Sequence, residues 1–482
     1  MSKFSNYLKS LINNSGESVS AIARNINVER TLIHKAMTGD RTLPYPAVRA
    51  LAAYLNMPID ERQEFFRLYD IHLQGEEAYE NRQAVCELLN TLSSLSLIMP
   101  PPPEVSSISM TGQLIRGEHA VHSAIRSVLI YETSHITDPE FLLFIPDKLN
   151  ITMELMELWL NERHFQVTEL LSLRSMRNVT NRQNLEKLSS VIPLCMASRG
   201  NYKPYYFTEA VGALGVSPMC HYIITPDYLI QISEDLTTAQ IRNDPELITY
   251  YSNWFKTLIQ NFDPLARCSS NIMEVLMEYI RGTSPDALQV IMSQPCPGRY
   301  ITKNVIQKYL NSDDMPYDQM YQLVENHFSV LRQIEKNYVT IFTEKGLEDL
   351  IRSCVLQDLP PQYVPPLDSA DIKSMLQSLY EEIDKGTVEG LIVRPTYLKI
   401  PDYLSFYMAP ETGIHIYTTN AFIYGAYCCD IHIAETSICK MFADFVQGLP
   451  GSPMVYSKEE TLGLLRQYID VNFLNNCPLN PF

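Results

Sequence analysis

SVSAIARNINVERTLIHKAMTG, running from Ser18 to Gly39, is the stretch whose spacing says most about this chain. Ser18 stands where a helix N-cap belongs, ahead of a short helical stripe of Ile22, Ala23 and Ile26. Asn27 interrupts it, and a second helix is predicted from about Glu29 to Met37, with Ile33 and Met37 inward and Thr38-Gly39-Asp40 as its stop. Working outward, Phe4, Leu8, Leu11 and Ile12 form one more stripe, ended by Asn13-Asn14-Ser15-Gly16. Pro46 opens a fourth helix whose buried face is Val48, Leu51, Ala52 and Leu55.

Two short helices joined by a turn of three or four residues, with the small Ala23 where they approach closely, make a helix-turn-helix pattern. The stretch resembles the helix-turn-helix of the Cro and phage-repressor type, the XRE family, through Ser18, Ala23, Ile26 and Val28 around Asn27, Ile33 and Gly39. The helix from Val48 to Leu55, followed by Met57, matches that family's fourth helix. The resemblance covers about 60 residues and implies that the third helix enters the major groove. Arg30, Thr31, His34 and Lys35 would then face DNA, while Leu32 or Ile33 and Met37 hold the helix to its core. Arg30 has the reach for guanine O6 and N7, and Thr31 suits a base or a phosphate. Ser18 and the amides opening the second helix would meet a phosphate, joined by Thr38 and Arg41. Two positions depart from the family pattern: Val19 replaces the common Gln or Thr, and Glu29 brings a negative charge that also suits its own helix N-terminus. The plainer alternative is a helical bundle with solvated polar residues, used as an adaptor for a partner protein.

Charge supports the first reading. Residues 1–57 hold seven basic and three acidic side chains, whereas the whole chain of 482 residues has a formal charge of -17. A basic module joined to an acidic bulk fits a polyanion-binding unit attached to one that avoids polyanions. The acidic total argues against a protein that coats nucleic acid by bulk charge. At 46% hydrophobic and 19% charged residues the chain can bury several cores, and 18 Gly and ten scattered Cys exclude collagen-like and disulfide-scaffold classes.

The expected fold is an N-terminal all-α helix-turn-helix bundle followed by a large mixed α/β region, read as two degenerate tandem α/β repeats of about 160 residues. Residues 1–75 are assigned to the DNA-binding domain, and 76–106 to a connecting helix and the linker Pro100-Pro101-Pro102-Pro103. A first sensor module spans 107–265, a helical spacer 266–314 and a second module 315–482. One helical stretch is predicted from Asp60 to about Leu95, whose apolar stripes (Phe65, Phe66, Leu68, Tyr69, Val85, Leu88, Leu89) serve dimerisation or pack on the bundle. The repeat rests on laying IITPDYLIQIS at 223–233 over IYTTNAFIYGA at 416–426, each read as a hairpin ahead of a helix with paired aromatics. The alternative is that strand-turn-strand-helix recurs by accident. The second region resembles the effector-sensing regions that follow the DNA-binding unit in many bacterial regulators.

Catalytic signals are weak. G-x-S-x-G, H-E-x-x-H, the Walker loop and G-x-G-x-x-G are missing, and no H-x-K occurs, as a phospholipase D type phosphodiesterase would need. His119 and His122 stand three apart on a predicted helix, but no third ligand follows at a recognisable spacing. The ten cysteines lack any C-x-x-C pair and read as reduced thiols, with Cys428-Cys429 the one conceivable redox pair. Aromatic clusters at Tyr202, Tyr205, Tyr206, Phe207 and at Tyr397, Tyr403, Phe406, Tyr407 suit either a ligand pocket or core packing. The N-terminus shows no secretory pattern, and the uncharged run from Thr412 to Cys429 reads as a hairpin with Ile414, Ile416, Phe422 and Tyr424 alternating around Thr418-Thr419-Asn420. The expectation is a cytoplasmic, non-enzymatic transcriptional regulator, activator or repressor; the alternatives are the protein-interaction adaptor and a DNA-addressed enzyme whose C-terminal activity leaves no motif. The regulator needs no cofactor, metal or membrane, and binds a double-stranded DNA operator as a homodimer under an unknown small-molecule or peptide effector.

Overall fold

The structure is a computed structural model that describes residues 2–95, 102, 104–105, 107–108, 111–174, 182–209, 219–312, 315–335, 337–360, 363–418 and 429–472. Five helices build the N-terminal unit: α1 (Lys3–Asn14), α2 (Val19–Asn25), α3 (Arg30–Thr38), α4 (Tyr45–Tyr54) and α5 (Ile59–Gln74). Phe4, Leu8, Ile12, Ile22, Ile33, Val48, Leu51 and Phe65 close one apolar core. Phe4 stacks on Phe65 at 5.4 Å, and the Tyr69 hydroxyl donates to the Leu43 carbonyl at 2.7 Å, fixing α5 across the other four helices.

The predicted single helix over 60–95 is broken at Gly75, whose φ of +87° only glycine adopts without strain. The second piece, α6 (Glu76–Ser93), is no free connector. Val85, Leu88, Leu89 and Leu92 are buried in the core of the α/β region, and Phe65, Leu68 and Tyr69 in that of the bundle. These side chains are therefore occupied within the chain rather than presented to a second copy. The prolines of the expected linker fall largely outside the described residues.

Two mixed sheets follow. Sheet one holds β1 (Leu114–Arg116), β2 (Glu140–Phe144), β3 (Gln166–Arg174), β4 (Tyr202–Glu209), β5 (His221–Ile224), β6 (Leu229–Ile232), β7 (Thr238–Arg242) and β8 (Asp263–Pro264). Sheet two holds β9 (Arg267–Ser269), β10 (Leu288–Met292), β11 (Tyr338–Thr343), β12 (Glu389–Val393), β13 (Ser405–Ala409), β14 (Gly413–Thr418) and β15 (Cys429–Ile433). Their orders are β1-β7-β6-β5-β2-β3-β4-β8 and β12-β11-β10-β13-β14-β15-β9. Read from β4 and from β12, the two run alike: three parallel strands, then four antiparallel ones ending on the strand that opens the unit.

This correspondence moves the boundaries. The expected helical spacer at 266–314 contains β9 and the central strand β10, so the second unit starts at Arg267. The hairpin match was also one strand out of step, because β14 corresponds to β6 and β13 to β5. The partner of β14 is β15 from Cys429 onward, whereas Phe422 and Tyr424 lie outside the described residues. Among the other elements that escaped the pattern are β3, interrupted by the buried Glu169, and α9 (Arg182–Ser198), which carries Pro193 inside the helix.

Alternate strand residues divide the cores. Phe141, Leu143, Ile223 and Ile230 of sheet one, with Ile291, Ile341, Phe406 and Ile416 of sheet two, enclose a central layer of α6, α7 (Glu118–His135), α8 (Thr152–Leu160), α9 and α16 (Thr436–Gln447). Leu142, Phe144, Leu170 and Tyr222 face outward under α10 (Pro245–Ile259). Val290, Met292, Phe342 and Tyr407 face outward under α11 (Ile272–Arg281), α12 (Lys303–Tyr309), α13 (Tyr317–Gln333), α14 (Glu344–Ser353), α15 (Ser369–Lys385) and α17 (Lys458–Asn472). The result is a five-layer α-β-α-β-α stack. Among the described residues no helix is long and apolar enough to cross a membrane.

The bundle is tied to this stack through Arg82 of α6, whose side chain is fully buried. It donates to Asp70 of α5 at 2.5 Å and to the Gly448 carbonyl at 2.9 Å, just beyond α16. Gln74 donates to the same carbonyl at 3.2 Å, and Asn81 to Asp444 at 2.7 Å. A Cβ at Gly448 would stand 2.8 Å from Gln74 Oε1, 3.1 Å from the Asp444 carbonyl and 3.2 Å from Arg82 Cδ, so a larger residue there would have to displace Gln74. Burial pushes the Asp70 carboxyl up and Arg82 pulls it back, while the guanidinium itself does not give up its proton. Asp70→Ala strands that charge and is expected to lower stability by about 3–5 kcal/mol in denaturant titrations. A loss near zero would refute the joint.

His327, buried on α13 beside Tyr279, is held down to about 3 by burial alone. The unfolded chain takes up a proton there below its ordinary value of 6.5 and the folded one does not, so stability falls as pH drops from 6.5 toward 3. Between pH 6.5 and 5 the wild type should lose about 2 kcal/mol more than His327→Leu. Unfolding curves of the two proteins at both pH values check this, and parallel losses would contradict it.

Candidate nucleic-acid interface

The geometry of the bundle follows from a few local devices. Ser18 caps α2 by accepting from the Ala21 amide at 3.1 Å, as the sequence predicts. Asn27 takes a φ of +54°, a left-handed conformation that asparagine tolerates, and the Val28 amide closes the turn onto the Ala23 carbonyl at 3.0 Å. Gly39, at φ +86°, ends α3 and points its N–H back at the carbonyls of Ala36 and Lys35.

Ile33, Ala36 and Met37 bury one side of α3, while Arg30, Thr31, His34, Lys35 and Thr38 are exposed. Their spacing places them as one ridge along the helix. Arg30 Nε approaches His34 Nε2 at 3.4 Å, which aligns the two side chains. Arg41 is exposed in the following loop, where its amide and that of Asp40 both return to the Lys35 carbonyl. Arg30, Lys35 and Arg41 have no carboxylate partner among the described residues, and Lys3 with Glu76 at 3.5 Å is the ion pair found in this unit's first helix.

Four of the predicted residues sit differently from the expectation. The Thr31 hydroxyl donates to Glu29 at 3.1 Å, and Thr38 donates to Asp40 at 2.6 Å, so both hydroxyl protons are committed within the chain. Val19 is partly buried against the bundle core and offers outward only its backbone. Glu29 occupies the N-cap position of α3 without making a side-chain cap.

Elsewhere the weaker sequence signals dissolve into ordinary structure. His122 lies 3.1 Å from the Asn150 carbonyl and 3.5 Å from Glu154, and His119 joins no group of potential ligands among the described residues. Members of the aromatic clusters pack within the fold: Tyr202 bonds Glu169 at 2.5 Å, Tyr403 reaches the Leu92 carbonyl at 2.7 Å, and Phe406 stacks on Phe442. Cys429 is buried, and Cys428 lies outside the described residues. Two features escaped the sequence: the Arg82 joint, and a cluster of Glu278, His415 and Asp430 from three distant elements. Neither has a spacing signature.

A family model described as a helix-turn-helix domain matches residues 3–65, which take in α1 to α4 and the start of α5. Residues 3–65 thus form a helix-turn-helix domain at the N-terminus. No curated protein matches the chain. Among solved structures, TrmBL2, an archaeal chromatin protein described as showing a novel mode of DNA binding, is 14% identical, with 51% of this chain and 97% of that one covered at a TM-score of 0.23. The phosphatidylserine synthase of Haemophilus influenzae Rd KW20 is 11% identical, with 82% and 99% covered at a TM-score of 0.24. TM-scores this low assign neither fold nor function.

Ser18→Ala removes the α2 cap and is expected to cost about 1 kcal/mol, against a few tenths for Ser18→Gly. Equal losses in denaturant titrations of the two variants would show that the cap contributes nothing.

Proposed function

We propose that this chain is a cytoplasmic, sequence-specific DNA-binding transcriptional regulator of the Cro and phage-repressor type. The observation that carries the reading is the exposed ridge Arg30, His34 and Lys35 on α3, with Arg41 beyond it; among the described residues Arg30, Lys35 and Arg41 pair with no carboxylate. Within this reading α3 enters the major groove of a double-stranded operator, where Arg30 contacts a base edge and Arg41 a phosphate. Thr31 and Thr38 are secondary, because their protons are already given to Glu29 and Asp40.

One such unit makes few phosphate contacts, so useful specificity calls for a homodimer on two half-sites about one helical turn apart. The acidic α/β region, which we read as non-enzymatic, supplies dimer contacts, effector sensing or both. The Arg82 joint gives it a mechanical route to the DNA-binding unit, since a shift of α6 or α16 must move Asp70 and α5 with it.

The test is selection from random DNA by the full-length protein, followed by binding titrations across salt concentrations. An enriched inverted repeat is expected. Arg30→Ala should lose about 1–3 kcal/mol on it and relax one position, whereas Arg41→Ala should weaken all sequences and reduce the salt slope by about one. Ser18→Asp keeps the cap but sets a negative charge against the phosphate, so stability holds while affinity falls. Folded protein that enriches no sequence at low salt would overturn the reading in favour of an adaptor.

A further inference from the structure

Glu278 of α11, His415 of β14 and Asp430 of β15 each bring one nitrogen or oxygen donor to within 4.8 Å of the others. Strand register produces half of this arrangement. His415 lies opposite His432, and Asp430 opposite Tyr417, so the three side chains His415, Asp430 and His432 share the face that packs under α11. His415 and Asp430 are each only 2% exposed, which takes both out of solvent, while Glu278 sits at the edge.

The surroundings are built around the His415 ring. A Cβ at Gly282 would come within 2.8 Å of its Cδ2, so glycine at the end of α11 makes the space the imidazole fills. The Thr412 hydroxyl ties that turn down by donating to the Gly282 carbonyl at 3.1 Å. His415 Nδ1 lies 3.2 Å from Asp430 Oδ1, and its ring stacks on His432 at 4.3 Å and 11°. His432 in turn donates from Nε2 to the Thr412 carbonyl at 2.7 Å. The Thr412 carbonyl thus orients His432, and the His432 ring in turn holds the plane of His415 by stacking.

Two open grooves, of about 450 and 760 Å³, meet here and share Glu278, Arg281 and His432. The route for an ion is therefore open. Charge also favours one. Two carboxylates, Glu278 and Asp430, stand beside the stacked imidazoles of His415 and His432. The counter-charge on Glu278 is Arg281, at 2.5 Å, on a side chain that is itself 66% exposed. A divalent cation answers both carboxylates at once and releases Arg281 to the groove.

We infer that Glu278, His415 and Asp430 form a divalent transition-metal site, zinc being the ion best suited to one imidazole nitrogen and two carboxylate oxygens. A histidine donor selects against calcium and magnesium, which take oxygen. Three protein ligands leave a fourth position facing the grooves, the arrangement of an exchangeable rather than a closed structural site. This inference does not depend on the DNA-binding reading.

The experiment uses full-length protein stripped with chelator, titrated with zinc against a chromophoric indicator, with metal content measured after dialysis. One zinc per chain is expected, together with a zinc-dependent rise in melting temperature. Glu278→Gln is the main variant, because Glu278 is partly exposed and its partner Arg281 sits one helical turn away, so the metal-free fold should survive. It should weaken zinc binding by more than the roughly 10–100-fold typical of an outer-sphere loss and abolish the melting shift. Glu234→Gln, in the separate group of Cys220, His221 and Glu234, should leave binding unchanged. No stoichiometric zinc, binding untouched by Glu278→Gln, or binding lost in Glu234→Gln instead would each overturn the assignment.

Discussion

A guanidinium cannot shed its charge, and in this protein one is placed where no water reaches it. Arg82 is fully buried between α5, α6 and the end of α16, held by Asp70 and the Gly448 carbonyl. Desolvating a charge is tolerated only with a close counter-ion and satisfied hydrogen bonds, so this one side chain dictates where the helix-turn-helix domain sits on the α/β region. Asn81 with Asp444 and Gln74 with Gly448 reinforce the same junction. An apolar seam would tolerate sliding, whereas the directional bonds of this one favour a single register.

The two units of that region share strand order but not surroundings. The crossover helices of unit one, α7 to α9, lie in the central layer, while those of unit two, α11 to α15, lie on the outside. Conversely α16 is central and its counterpart α10 is peripheral, with Tyr250 and Trp254 left exposed. The units are therefore stacked front to back, and α6 from the N-terminal side completes the layer between them. Because the surroundings differ, the same topology could acquire different chemistry in each half. The Glu278–His415–Asp430 cluster lies on the crossover side of sheet two, against α11.

How far the sequence could be read depended on the range of the contacts. The helix-turn-helix domain was legible almost to the residue, since a cap at Ser18, a tolerant Asn27 and a left-handed Gly39 act within a few positions. The ridge on α3 was legible for the same reason, although the self-bonding of Thr31 and Thr38 was not. In the α/β region the mixed class was legible, but β3 hid behind Glu169, whose burial is made tolerable by Tyr202, 33 positions away. Pro193 concealed α9, and β10 is a five-residue strand within a stretch read as helical.

The sequence by itself determined which segments turn, which faces are apolar and which short module carries excess positive charge. Those properties arise from backbone preference and from side chains within a helical turn or two of each other. Tertiary structure alone decided that α6 belongs to the α/β core, that Arg82 is a joint, and that Glu278 meets His415 and Asp430. Each of these depends on pairing residues more than ten positions apart, where strand register and layer order, not local periodicity, choose the neighbour.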